Sequence, residues 1–141
     1  MSINTSTAGA NSNAAGSAAV VLAARLLLSI LFIFAGFGKL TDIGGTAGWF
    51  GSIGLPLPTV AAVVVGLLEL FGGLAILVGF KTRIAAIAIA VFTIAASLIA
   101  HTNFADQIQL LFFLKNLSIT GGLLVLAAFG PGALSIDARR G

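Results

Sequence analysis

Glu69 is the residue in this sequence whose surroundings most need a chemical explanation. It lies in the apolar stretch from Val63 to Gly73, and no other acidic or basic residue lies within eleven positions on either side. The composition described below places this stretch in a lipid bilayer, where a charged side chain costs about 2.5–3.5 kcal/mol and should therefore face protein and bind a partner. Six polar residues are candidates for one buried cluster or ligand-binding site: Arg25, Lys39, Glu69, His101, Lys115 and Asn116.

Polar and small residues recur at helical spacing in four separate segments, which indicates that each segment turns one such face inward. The predicted inward faces, in chain order, are Arg25, Ser29, Phe32, Gly36 and Lys39; Ala62, Gly66, Glu69 and Gly73; Thr93, Ser97 and His101; and Gln109, Phe113, Asn116 and Thr120. Small residues allow close approach of two helices, and polar residues form hydrogen bonds between them. The pattern predicts a bundle with a polar interior.

The segments that carry these faces are long and apolar. The chain has 141 residues, of which 59% are hydrophobic and 8% are charged. Apolar runs of about 20 residues match a hydrocarbon core of about 30 Å. The four runs are approximately Ala18–Gly38, Thr59–Gly79, Ile84–Ala100 and Leu110–Phe129. The sequence therefore predicts an all-α integral membrane four-helix bundle, with its transmembrane domain over residues 18–133.

The segments that flank this domain are polar or basic. Residues 1–17 contain Ser, Asn, Thr, Ala and Gly without a charged side chain, which predicts a disordered polar tail, and residues 134–141 form a basic tail. Five basic residues would lie on the side of the two termini and two on the other side, which favours cytoplasmic termini. The predicted cytoplasmic-side anchors are Lys81, Arg83, Arg139 and Arg140.

The connection between the first two predicted helices has two interpretations. Gly, Trp and Phe in a weakly apolar segment are typical of a short helix in the membrane interface, with Trp49 as its anchor. Alternatively, the segment is a structured loop in which Trp49 covers the end of the bundle. Pro56 and Pro58 then indicate the start of the second helix.

Arg25 is the preferred partner of Glu69, because a guanidinium group can bind a carboxylate through two parallel hydrogen bonds. Without a partner, Glu69 would be neutral. Each candidate also has a structural interpretation. An Arg–Glu pair can serve only to align two helices, Lys39 and Lys115 can be anchors that extend to the interface, and His101 can be an interfacial residue.

Several residue types needed for redox or metal chemistry are missing. The chain has no cysteine, one histidine and one methionine. A thiol relay, an iron–sulfur cluster or a haem with two protein ligands is therefore excluded for a single chain, and no catalytic residue or metal ligand is assigned. The basic residues do not cluster, which excludes a nucleic-acid interface.

The chain resembles the DoxX family of small bacterial membrane proteins from about Arg25 to Asp137. The resemblance is carried by "RLLLSILFIFAGFGKL", "SIGLP", "GLLELFGGLAILVGFKTRIAA", "FFLKNLSITGGLLVLAAFGPG" and the following "SID". It implies four transmembrane helices in a bacterial cytoplasmic (inner) membrane. The positions that the resemblance makes characteristic are Arg25, Lys39, Glu69, Arg83, Lys115 and Asn116.

The resemblance also implies a functional hypothesis, because some members of the family are subunits of quinone-linked or redox-defence oxidoreductases. We expect an accessory or anchor subunit of such a complex, with quinone as the ligand that the polar interior would accommodate and with the cofactor-bearing enzyme in another subunit. The expected partners are the lipid bilayer and other subunits or a second copy. The alternatives are a non-enzymatic membrane scaffold and a small proton or anion carrier that uses Glu69.

Overall fold

The computed structural model describes the backbone of residues 5–140 and the side chains of residues 12–140. The described residues form six helices: α1 (Thr5–Thr41), α2 (Ile43–Ser52), α3 (Pro58–Val78), α4 (Thr82–Ala100), α5 (Gln107–Phe129) and α6 (Ile136–Arg140). Four segments are long and apolar enough to cross a membrane: Ser12–Thr41, Pro58–Val78, Thr82–Ala100 and Gln107–Phe129. The predicted all-α bundle with four membrane-spanning helices is confirmed.

The helix ends follow from local residue chemistry. Pro58 is the first residue of α3, where its missing N–H leaves no hydrogen bond unmade. Gly79 ends α3 with φ of 72°, a conformation that favours glycine. Asp106 caps α5 by accepting a hydrogen bond from the Ile108 N–H at 2.9 Å. Gly130 ends α5 one residue before Pro131.

The N-terminal segment differs from the sequence prediction. Residues 1–4 of the predicted disordered tail lie outside the described part of the chain, but residues 5–17 are helical and continuous with the first membrane span. Extending an existing helix costs much less free energy than nucleating a new one, and alanine is the best helix former. Alanines at positions 8, 10, 14 and 15 therefore support extension of α1.

The connection between the first two spans contains a short helix, as one of its two interpretations predicts. α2 packs against α3, with Phe50 buried and Trp49 about half exposed. Asp42 caps α2 by accepting a hydrogen bond from the Gly45 N–H at 3.0 Å. The role of Trp49 as a membrane-interface anchor stays a prediction.

Two helix pairs dominate the packing, since α1 packs along α3 and α5 packs along α4. The α1–α3 contact is very close: a Cβ atom added to Gly36 would lie 2.7 Å from the Gly66 carbonyl oxygen and would also meet the Leu70 nitrogen. A Cβ added to Gly73 would lie 3.1 Å from the Ile33 nitrogen. Along these contacts the residue numbers rise in α3 as they fall in α1, so the two helices are antiparallel.

The inward faces predicted for α1 and α3 are confirmed, because Arg25, Ser29, Phe32 and Gly36 are buried with Lys39 partly buried, and Ala62, Gly66, Glu69 and Gly73 are buried. The apolar core of the bundle is formed by Phe32, Ile76, Ala86, Ile89, Ala90, Leu123 and Leu126.

The C-terminal segment belongs to the bundle and does not form a separate tail. The Asp137 carboxylate accepts hydrogen bonds from the Lys81 N–H at 2.7 Å, the Thr82 N–H at 2.9 Å and the Thr82 hydroxyl at 2.8 Å. Burial of this carboxylate opposes ionisation, but these hydrogen bonds and the charge of Arg140 outweigh it, so the pKa of Asp137 lies below its ordinary value. Asp137 is thus ionised at neutral pH and caps the N-terminus of α4 from outside the helix.

Both described ends of the chain lie at one end of the bundle, where Gly132 lies against Val21. That this end faces the cytoplasm stays a prediction.

Gly36→Ala is expected to destabilise the protein by about 1–3 kcal/mol, because the added methyl group meets the backbone of α3 and forces the two helices apart. The matched control is Gly38→Ala on the same helix, where an added Cβ has no neighbour within 4 Å. Thermal unfolding of the purified proteins in detergent measures both changes. Equal stability of the two variants would contradict the close α1–α3 contact.

Candidate functional site

The Glu69 carboxylate is paired with Lys39. The Lys39 Nζ atom donates a hydrogen bond to Glu69 Oε2 at 2.8 Å, and the two side chains are 22% and 6% exposed. Lys39 belongs to the last turn of α1, and Glu69 lies at the middle of α3. The pair therefore joins the two helices that approach each other at Gly36 and Gly66.

The predicted pairing of Arg25 with Glu69 is wrong. Arg25 lies at the level of Gly79, where a Cβ atom would meet Arg25 Nη1, and Gly79 is ten residues from Glu69 along the chain. At about 1.5 Å per residue, this is about 15 Å along the helix axis. Arg25 Nη2 instead donates a hydrogen bond to the Leu134 carbonyl oxygen at 2.7 Å. Arg25 Nε and Nη1 have no hydrogen-bond partner among the described residues.

A partly open cavity of about 480 Å³ adjoins the ion pair. Side chains from α1 to α5 line it. The polar residues are Lys39, Glu69, Thr93, His101 and Asn116, and the aromatic residues are Phe32, Trp49, Phe50, Phe92 and Phe112. The remaining lining side chains are aliphatic. This volume and composition are typical of a pocket that binds a small organic molecule.

One hydrogen bond between α4 and α5 and two within α4 order another part of the cavity wall. Asn116 Nδ2 donates to Ser97 Oγ at 2.8 Å, and Ser97 Oγ donates to the Thr93 carbonyl oxygen at 2.9 Å. The Thr93 hydroxyl donates to the Ile89 carbonyl oxygen at 2.7 Å. Because Asn116 is bonded on one side only, its amide still has hydrogen-bonding capacity.

His101 lies at the C-terminal end of α4 and contributes to the cavity wall. Its ring packs on Phe112 with centroids 5.3 Å apart. The buried His101 Nδ1 atom has no hydrogen-bond partner among the described residues. A buried polar atom without a partner is costly, so a ligand or water that bonds to it would be favoured.

The structure brings four of the six candidate residues to one cavity: Lys39, Glu69, His101 and Asn116. Lys115 does not line this cavity; its side chain is exposed, and its Nζ atom lies 5.4 Å from the centre of the ring of the lining residue Phe112. Arg25 is buried at the other end of the bundle.

The predicted cytoplasmic-side anchors surround that other end. Lys81 and Arg140 both lie against the Phe80 ring, at 5.9 and 5.4 Å from its centre. The Arg83 guanidinium donates to the Ala128 carbonyl oxygen at 2.9 Å, near the C-terminus of α5. Arg139 is exposed. Their contact with lipid headgroups stays a prediction.

The aromatic wall of the cavity was not predicted from the sequence. Trp49 and Phe50 reach the cavity because α2 folds back onto α3, which spacing within a short loop does not indicate. A signal for Thr93 did exist, since it belongs to the predicted polar face of the third predicted helix.

These features define a small helical membrane protein with a buried Lys–Glu pair beside a largely apolar cavity. The model of the DoxX family matches residues 20–102, which is more than half of the chain. The chain therefore belongs to the DoxX family.

Two relatives from Escherichia coli K12 match most of the chain. The inner membrane protein YqjF is 50% identical over 117 residues, which cover 83% of this chain and 88% of YqjF. The inner membrane protein YphA is 35% identical over 125 residues, which cover 85% of this chain and 89% of YphA. Together with the four apolar spans, these relatives confirm the predicted location in a bacterial inner membrane.

A third relative, CatD of Bacillus subtilis 168, is named as a proposed oxidoreductase. It is 38% identical over 72 residues, which cover 51% of this chain and 52% of CatD. No solved structure matches the chain.

A double-mutant cycle tests the Lys39–Glu69 pair. Lys39→Met and Glu69→Gln are each expected to destabilise the protein, by up to about 3–5 kcal/mol, because each leaves a partly buried charge without its partner. The double variant should recover part of this loss, with a coupling of about 0.5–3 kcal/mol. Denaturation in detergent provides the free energies of unfolding.

The control cycle pairs Arg25→Met with Glu69→Gln, whose effects should be additive because the two residues lie far apart. Stronger coupling of Glu69 to Arg25 than to Lys39 would refute the ion pair.

Proposed function

We propose that this protein is a membrane-embedded subunit of an oxidoreductase complex and that its cavity binds the headgroup of a quinone. The observation that carries the proposal is the convergence of hydrogen-bonding groups on an apolar, membrane-embedded cavity. Lys39 Nζ, the Asn116 amide and the unpartnered His101 Nδ1 all belong to residues that line it.

The chemistry of a quinone fits these residues. A quinone ring carries two carbonyl acceptors on opposite sides of a flat apolar ring. Lys39 has three N–H donors and gives one to Glu69, so two remain for an acceptor. His101 can donate from Nδ1 in one of its neutral tautomers. Trp49, Phe50 and Phe92 provide aromatic surfaces for the flat ring.

The residues of this chain bind and orient the headgroup, while a bound quinone supplies the capacity to accept two electrons and two protons. Glu69 keeps Lys39 in place through the ion pair and balances its charge inside the cavity. The apolar walls limit the access of water, which strengthens each hydrogen bond in the cavity.

The electrons must come from another protein, because this chain has no cysteine and a single histidine with which to bind a redox centre. A partner that carries a flavin, a haem or an iron–sulfur cluster would deliver electrons to the cavity. The partial match to CatD supports an oxidoreductase role through the name of that protein alone.

A membrane scaffold that binds no ligand is the second candidate function. The Lys39–Glu69 pair favours it, because aligning two helices is a sufficient role for an ion pair that joins them. Ligand binding distinguishes the two functions.

Trp49 is a built-in reporter of quinone binding. It is the one tryptophan in a chain without tyrosine, and it lines the cavity. Titration of the protein in lipid nanodiscs with a quinone should quench its fluorescence in a saturable manner. Lys39→Ala and His101→Phe should each weaken binding by about tenfold, the loss expected for about 1.4 kcal/mol of hydrogen bonding.

Lys115→Ala is the matched control, because it removes the same type of side chain from a position outside the cavity. It should leave the affinity within about twofold. Quenching that does not saturate, or that is equal in all variants, would contradict a quinone site and favour the scaffold.

The partner subunit is tested by purification at native expression level in mild detergent, followed by mass spectrometry. We expect a cofactor-bearing redox protein to co-purify with this protein in a stoichiometric amount. The same redox protein should be absent from a control purification with the affinity tag alone. Recovery of this protein with ordinary phospholipid and no redox protein would refute the subunit role, even if quinone binds.

A further inference from the structure

The cavity lies where α1 and α5 separate. The two helices meet at Leu28 and Gly122, where a Cβ atom added to Gly122 would lie 3.5 Å from Leu28 Cδ2. Towards the Lys39 end, Leu31 and Ala35 of α1 and Phe112 and Asn116 of α5 line the cavity. Because α1 packs mainly on α3 while α5 packs on α4, the bundle has little α1–α5 contact to close this side.

The exposure of the lining residues distinguishes a floor from a mouth. Phe32, Phe50 and Thr93 are each 4% exposed and form the floor. Leu31 on α1 and Phe112 on α5 are 44% and 42% exposed, and Trp49 on α2 and Ile99 on α4 are 47% and 50% exposed, so these residues lie at the mouth. The mouth is therefore bounded by large apolar side chains, and two of them, Leu31 and Phe112, lie on the two helices that separate.

The mouth lies at the depth of the hydrocarbon core. Leu31 is two residues from Ile33, whose backbone nitrogen faces Gly73, and Gly73 lies five residues before the end of α3 at Val78, so Leu31 lies within the height of the α3 span. Phe112 is five residues after the start of α5 at Gln107, or about 7.5 Å. An opening at this depth, with apolar side chains at its rim, leads into lipid.

We propose that the cavity opens sideways into the bilayer between α1 and α5 and that its ligand is a lipid-dissolved molecule with an apolar tail. The polar headgroup stays beside Lys39, and the tail leaves through the gap between Leu31 and Phe112. The inference rests on the proposed quinone site and specifies the substrate class further, as a quinone with a hydrocarbon tail. A polar quinone without a tail would bind with the headgroup contacts alone.

A single chemical modification tests the gap. The chain has no cysteine, so Leu31→Cys carries the one reactive thiol and can be modified with N-ethylmaleimide after purification, when folding is complete. The adduct should fill the gap where the tail passes. Equilibrium quenching of Trp49 is measured in nanodiscs with two probes, a quinone with a long alkyl tail and a quinone without one.

The expected result is a loss of affinity for the tailed quinone of about tenfold or more, with the affinity for the tail-less quinone within about twofold. Val125→Cys with the same adduct is the control, because Val125 is exposed on α5 and does not line the cavity. It should change neither affinity.

Two results would overturn the lateral opening while leaving the quinone site intact. One is an unchanged affinity for the tailed probe after modification at position 31, and the other is an equal loss for both probes. If the unmodified protein binds neither probe, the proposed quinone site fails, and the lateral opening fails with it.

Discussion

The close antiparallel contact between α1 and α3 is the constraint on which the rest of the structure depends. Gly36 fits against the backbone of α3 at Gly66, where no side chain larger than a hydrogen atom has room. This contact determines the relative height of the two helices. It places Lys39, one turn beyond Gly36, within hydrogen-bonding distance of Glu69, and it places Arg25 beside Gly79 at the opposite end. The charge at the centre of the apolar segment is thus compensated as a consequence of backbone packing.

The same register separates two polar regions with different properties. The region around Arg25 is closed by the C-terminal segment, whose Leu134 carbonyl accepts from Arg25 and whose Asp137 caps α4. Arg25 Nη2 and the Asp137 carboxylate are thus bonded to the protein itself, whereas Arg25 Nε and Nη1 are not bonded to any described residue. The region around Lys39 instead adjoins a cavity, and its neighbour His101 keeps an unpartnered nitrogen. Buried polar atoms without a partner among the described residues occur at both ends, namely Nε and Nη1 of Arg25 and Nδ1 of His101. Of these two residues, His101 is the one that lines the cavity, which is why the ligand is proposed at this end.

The sequence predicts the fold well and the site in part. Four apolar runs determine the spans, and helical spacing identifies Glu69, Ser97 and Asn116 as inward-facing, because both signals are local. The partner of Glu69 depends on the height of one helix relative to another. The preference for Arg25 comes from the geometry of guanidinium–carboxylate pairing, which contains no information on height, whereas the opposed glycines show the register once α1 and α3 are known to be neighbours. Trp49 reaches the cavity only through the fold-back of α2, a tertiary contact that local spacing does not encode.

The cavity itself follows from how the four spans divide their contacts. α1 is tied to α3 by glycines and an ion pair, and α5 is tied to α4 by packing and by the Asn116–Ser97 hydrogen bond. A further strong interface, between α1 and α5, would close the bundle into a compact core and fill the space beside Glu69. Because that interface is limited to the level of Leu28 and Gly122, the buried ion pair remains next to open volume. The division of contacts therefore leaves a charged pair at the wall of an open volume, which is the arrangement that the proposed ligand site requires.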